Sequence, residues 1–129
     1  MPLPSSVINP KLKIAMTSKN TANPSFVTQL REQIEYRDTG TFNKLLLKDQ
    51  ACQYTLLCLA ANTEISEHKS TRNATVNVIE GQGLLTLSGQ DIALETGVFV
   101  FIPANAPHSL KSKEKLAFLL TLSEKVDSN

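Results

Sequence analysis

The sequence has no tryptophan, and its aromatic residues make up only 5% of the chain. So thin a supply excludes the stacking platforms that bind single-stranded nucleic acid. No run of about 18 apolar residues is present, so no segment is expected to span a membrane as a helix. Charge of one sign is also missing. Thirteen Lys and Arg against twelve Asp and Glu leave a net charge of +1. With the basic residues scattered, no field draws nucleic acid or an anionic membrane surface. The opening Met1-Pro2-Leu3-Pro4-Ser5-Ser6 has no basic residue followed by an apolar stretch. That argues against a secretory signal, and a cytoplasmic location is the expectation.

Cysteine is scarce as well: Cys52 and Cys58 are the only two. Both fall in one strand-like run, where six residues of extended chain separate them by roughly 20 Å. A disulfide needs Cα atoms within about 7 Å, so these two cannot pair within that strand. Equal parity puts both on one side, and two buried thiols packing as small hydrophobes is the expected arrangement. Histidine is equally rare, at His68 and His108.

What is present is the composition of one ordinary globular domain: 129 residues, 41% hydrophobic and 19% charged. Residues 1–23 carry Pro, Ser, Asn, Thr and Lys without periodicity and read as an irregular arm. Residues 24–129 are expected to form the single domain. Asn23 can cap a helix with Pro24 in its first turn. Val27, Leu30 and Ile34 then form one apolar stripe, which predicts a short helix over about 24–36. From residue 42 the period changes. Short apolar and β-branched runs alternate with turn residues about every 8 to 12 positions, the pattern of a sandwich or barrel. Strands are expected at 42–48, 53–60, 75–79, 84–88, 92–94, 98–102, 109–111 and 115–122. The run Val98-Phe99-Val100-Phe101-Ile102 is apolar at every position, which predicts a central strand buried on both faces. Leu116, Phe118, Leu120 and Leu122 alternate as a half-buried strand should.

The stretch from His68 to Ser112 resembles the cupin family. The first cupin motif usually reads G-x5-H-x-H-x3-E-x6-G. In that frame this sequence has His68, Ser70, Ala74 and Gly81. The second reads G-x5-P-x-G-x2-H-x3-N, and the matching residues are Gly97, Pro103, Asn105, His108 and Ser112. Asn105 can stand for glycine because it tolerates the left-handed region. Pro103 ends a strand, and Pro107 fixes the chain before His108. The resemblance implies an all-β fold, a double-stranded β-helix or jelly-roll barrel, with the one short N-terminal helix added.

The resemblance also implies where a site would lie. In metal-dependent cupins, two His and one Glu of the first motif join one His of the second. The corresponding residues are His68, Ser70, Ala74 and His108, so only two imidazoles remain. Catalytic zinc normally keeps three protein ligands, and non-haem iron needs two His and a carboxylate. The expected cofactor is therefore a divalent transition metal (zinc, nickel or iron), weakly held and partly occupying His68 and His108. Otherwise the pocket has none.

The expected pocket is formed by His68, His108, Ser70 and Asn77, with no catalytic residue assigned. Asn77 has the parity opposite to Val76 and Val78, and a solvent-facing position competes equally with a pocket role. Lys69 and Arg72 read as solvated loop charges. The expected function is binding of a small-molecule ligand. The alternative is an enzyme of the isomerase or lyase type with an imidazole as acid or base, or a metal-dependent dioxygenase, in the same pocket. Related single-domain cupins pair their sheets, and the arm before Asn23 is available to exchange, so a homodimer is expected.

Overall fold

The computed structural model describes residues 25–125, and the chain divides after Gln33 into two units. The arm expected over 1–23, and the cap at Asn23 and Pro24, lie outside the described residues. In the first unit the helix is a single turn, α1, Leu30–Gln33. The longer helix predicted over 24–36 does not form. Its last apolar residue, Ile34, packs with Tyr36 against Leu56, Cys58 and Ala117 in the second unit. That i, i+2 spacing is the period of extended chain, not of a helix. Burial of two side chains on a sheet outweighs the weak propensity of a three-residue stripe.

The second unit is all β. Its strands are β1 (Thr41–Lys48), β2 (Cys52–Leu59), β3 (Glu64–His68), β4 (Arg72–Leu87), β5 (Gln90–Glu95), β6 (Phe99–Ile102) and β7 (His108–Lys125). Every pairing is antiparallel, in the order β1-β2-β7-β4-β5, with β3 on β7 and β6 on β4. This is the jelly-roll barrel that the strand spacing implies. Among the described residues no helix is long and apolar enough to cross a membrane.

Two long strands hold the barrel together. β4 merges the predicted runs 75–79 and 84–88, and β7 merges 109–111 and 115–122. Glycine at 81 and 83 marks a bend in β4, not its end. The β4–β7 register shifts between Val78 and Glu80 and again between Gly81 and Gly83, while Lys113, Glu114 and Lys115 bulge outward from β7 and stay exposed. Such shifts increase local twist and let one strand pass from one wall to the other. Gly81 takes φ +101°.

The core fills the barrel from alternate positions. Leu57, Leu59, Val76, Val78, Leu85, Leu94, Leu110, Leu116 and Phe118 are buried together inside. A smaller cluster of Leu56, Cys58 and Ala117 lies on the outer face, covered by Ile34, Tyr36 and Phe42. The Tyr36 hydroxyl donates to the Glu80 carboxylate at 2.7 Å, which gives the covering segment a polar anchor.

The run at 98–102 departs from its prediction. Only Val100 and Ile102 are buried, whereas Phe99 and Phe101 are 62% and 52% exposed. β6 alternates, with Val100 and Ile102 turned to the core and Phe99 and Phe101 turned to solvent. Continuous apolarity does not by itself make a strand central. Cys58 is buried as expected, but Cys52 is only half-buried, and both are free thiols.

Candidate functional site

The strand that sequence periodicity missed carries the first histidine. β3 has the pattern Glu-Ile-Ser-Glu-His, with one apolar residue, so hydrophobic alternation gives no signal. Its pairing partner supplies the order. Glu64 faces Lys111, Ile65 faces Leu110, and His68 faces His108 across the β3–β7 ladder. The register therefore places the two imidazoles side by side, with ring centroids 4.2 Å apart and planes at 62°, an edge-to-face contact.

Each ring is oriented by the backbone two residues before it. His68 Nδ1 donates to the Ser66 carbonyl at 2.9 Å, and His108 Nδ1 donates to the Ala106 carbonyl at 2.9 Å. A carbonyl oxygen can only accept, so Nδ1 carries the hydrogen in both. In the neutral rings Nε2 then keeps its lone pair, free to accept a proton, a hydrogen bond or a metal.

The loops that carry the histidines are tied to each other. Asn105 N donates to the Ser70 carbonyl at 2.7 Å, and Ala104 N donates to Asn73 Oδ1 at 2.8 Å. Asn105 holds φ +69°, which lets the 103–107 turn present its N–H groups to the 70–73 loop. On the far side Ser88 N donates to the Pro107 carbonyl at 2.8 Å. At the foot of the same wall, buried Ser112 pins the β2–β3 turn. Its hydroxyl donates to the Ala60 carbonyl at 2.6 Å and accepts from Thr63 N at 2.8 Å.

These elements enclose a cavity of about 330 Å³ inside the barrel. His68 of β3, Ser70 of the connecting loop, and Arg72, Ala74 and Val76 of β4 all line it. Beside them stand His108, Leu110, Phe118, Leu120 and Leu122 of β7, with Leu57, Ile65, Leu85 and Ile102 closing the rest. Apart from His68, Ser70, Arg72 and His108, every lining residue is apolar. His68 is exposed and His108 half-buried, so the imidazole pair stands at the mouth and the apolar wall lies within.

The structure thus brings His68, Ser70 and His108 to one wall. It does not bring Asn77 there. Asn77 is exposed on the opposite face of β4, paired with Phe99 and flanked by buried Val76 and Val78. Strand alternation sends it outward, and its place in a pocket is withdrawn. Arg72 moves the other way. It was read as a solvated loop charge, yet it is half-buried and lines the cavity. No alternation in the sequence marks it, because Thr71 forms a bend and the β4–β7 register shifts between Arg72 and Ala74.

The donor set does not fit a resident metal centre. Among the described residues no group of three His, Cys, Asp or Glu side chains is close enough to hold a metal ion. Ala74 has no ligand atom, and Ser70 Oγ already accepts a hydrogen bond from Arg72 N at 3.0 Å. Arg72, a cation, also lines the same cavity, and its charge opposes a metal ion. Two imidazole Nε2 atoms remain, fewer than zinc or non-haem iron sites use.

A family profile for the cupin domain matches residues 55–122, which contain every residue of this site. Solved structures give the same likeness. A conserved protein of unknown function from Streptococcus pyogenes superposes with a TM-score of 0.71 at 23% identity, covering 84% of this chain and 95% of that one. A cupin superfamily protein from Desulfitobacterium hafniense has a TM-score of 0.71 at 21% identity, over 81% and 94% of the two chains. An RmlC-like cupin from Desulfovibrio desulfuricans has a TM-score of 0.70 at 18% identity, over 78% and 97%. At these identities the likeness speaks for the fold alone. Comparison with curated protein sequences gives no match.

Proposed function

The chain belongs to the cupin family, and we propose that it binds a small organic molecule in the barrel, with the imidazoles of His68 and His108 orienting the ligand at the mouth. The observation that carries this reading is the division of the cavity. A wall of Leu, Ile, Val and Phe side chains encloses about 330 Å³, and the polar groups gather at His68, Ser70, Arg72 and His108. Ligand sites commonly combine an apolar lining with a few convergent polar groups in this way. Burial of an apolar body supplies affinity at about 25 cal/mol per Å², and the polar cluster fixes which end faces out.

A metal is not needed for this role. A divalent ion at the mouth would meet two imidazole nitrogens and otherwise water, which makes a weak and readily exchanged site. The dioxygenase alternative lacks its carboxylate, because no Asp or Glu lines the cavity. The isomerase or lyase alternative keeps one supporting feature. Each Nδ1 is anchored on a carbonyl, so an Nε2 lone pair is directed to act as a general base.

The test uses 1-octanol, a neutral amphiphile, followed by amide and methyl chemical shifts. Binding in the barrel predicts shifts at Ala74, Leu110 and Phe118 that saturate. It also predicts their loss in Ala74→Leu, which fills the cavity from its wall. Shifts confined to the outer face, or persisting in Ala74→Leu, would defeat the proposal.

A further inference from the structure

We infer that the ligand is a monocarboxylate with an apolar tail, its carboxylate gripped by Arg72 and its tail against the inner wall. This rests on the barrel being a ligand pocket and adds the chemical class of what it takes. Arg72 is the first residue of β4 and half-buried; it lines the barrel cavity together with Ser70, and it also borders a polar surface pocket that includes Asp49 and Glu124. Among the described residues its guanidinium meets one acceptor, the Ser123 carbonyl, at 3.4 Å, and no ion pair is formed. That contact is long and uses one of five donors, so the fork that suits a carboxylate is left available.

The rest of the cavity agrees in sign. No carboxylate lines it, so nothing inside competes with an incoming anion. The other charged or polar lining groups are His68, His108 and Ser70. The Ser70 hydroxyl accepts from Arg72 N and keeps its own hydrogen to donate. A cationic ligand in the barrel would meet Arg72 with no acid on the cavity wall to offset it. A neutral apolar molecule would leave half-buried Arg72 with only its long contact to the Ser123 carbonyl, which is costly. A dicarboxylate would have to place its second charge against Leu110, Phe118 and Leu120. One negative end and one apolar body is the chemistry that satisfies both walls together.

Isothermal titration of octanoate, 1-octanol and octylamine into the full chain tests this. Octanoate should bind roughly ten- to a hundredfold more tightly than octanol, the range of a charge-assisted hydrogen-bonded pair. Octylamine should be the weakest. In Arg72→Gln the octanoate-to-octanol ratio should fall to about one, and Arg72→Lys, which keeps the charge but loses the fork, should give an intermediate ratio. Equal affinity for octanoate and octanol in the natural protein overturns the carboxylate inference while the pocket reading stands. So does a preference that survives Arg72→Gln, or, if that variant does not fold, one undiminished in Arg72→Lys. Failure of all three probes to bind overturns the pocket reading itself.

Discussion

The backbone of Gly81 lies against the Lys115 carbonyl with no room for a side chain between them. The contact sits where β4 bends and β7 bulges, the crossing that lets both strands serve two walls. Gly81→Ala would force a Cβ into a backbone oxygen at φ +101°. The expected loss is roughly 3 to 5 kcal/mol, read as a fall in urea midpoint. Gly97 is the matched control. It also has positive φ, +92°, but a Cβ there meets nothing within 4 Å. Gly97→Ala should cost only about 1 to 2 kcal/mol, the left-handed strain alone. Equal losses would mean that crowding at Lys115 is unimportant.

Removing metal should change little. Stabilisation by a bound ion grows only as RT ln(1 + [L]/Kd), and two imidazoles make a weak site. Treatment with a chelator should lower the melting temperature by no more than about 1 to 2 °C, since about 1 kcal/mol moves a domain of this size by roughly 3 to 5 °C. Ser70→His combined with Ala74→Glu should raise zinc affinity by about a hundredfold or more, because both positions line the wall beside His68 and His108. Unfolding of the natural protein by chelator would reveal a ligand outside this pair.

The two thiols should separate by reactivity and by pH. Burial pushes the Cys58 thiol above its ordinary range, which the Glu35 backbone and nearby Lys44 only partly offset. The folded state therefore holds that proton to a higher pH than the unfolded state does. The associated stability is complete below the unfolded thiol's pKa and is lost as pH rises through the folded one. Cys58→Ala should flatten the alkaline fall in stability above about pH 8.5. A thiol reagent in native buffer should label Cys52 and leave Cys58 until the protein unfolds. Equal labelling rates would contradict the burial of Cys58.

Strand β6 offers a test of its two faces. Ile102 is 3% exposed, and Ile102→Ala should cost about 2 to 4 kcal/mol through lost burial and a cavity. Phe101 is its neighbour and larger, yet Phe101→Thr should stay within about 1 kcal/mol, because the ring is already half in water. Thermal melts of the two variants decide between these outcomes.

The barrel was legible wherever side chains alternate. Leu116 to Leu122 and the run around Val76 follow period two because one face meets the core. The spacing of Gly97, Pro103 and His108 belongs to a turn whose Asn105 is left-handed, and that geometry is local. Three things were not local. β3 has almost no apolar signal, since its order comes from pairing with β7. Phe99 and Phe101 look like core residues, and only the packing of Val100 and Ile102 into the core shows which face of β6 is left exposed. Arg72 looks like a solvated charge because a bend at Thr71 and a register shift before Ala74 interrupt the alternation, so its place on the cavity wall comes from the fold.

The pairing of β4 with β7 also sets the order of events before any pocket exists. It joins residues 72–87 to residues 108–125, so it cannot begin until most of the chain is available and a long loop has closed. Contacts of such separation make β-sandwich folding slow, in milliseconds to seconds. Until they close, the strand bearing His108 is not held against the strand that follows His68. A chain interrupted just before β7 would therefore lack His108 and the apolar side chains of β7, leave the remaining cavity residues exposed, and display the unpaired edges of β2 and β4 to other chains at the same time.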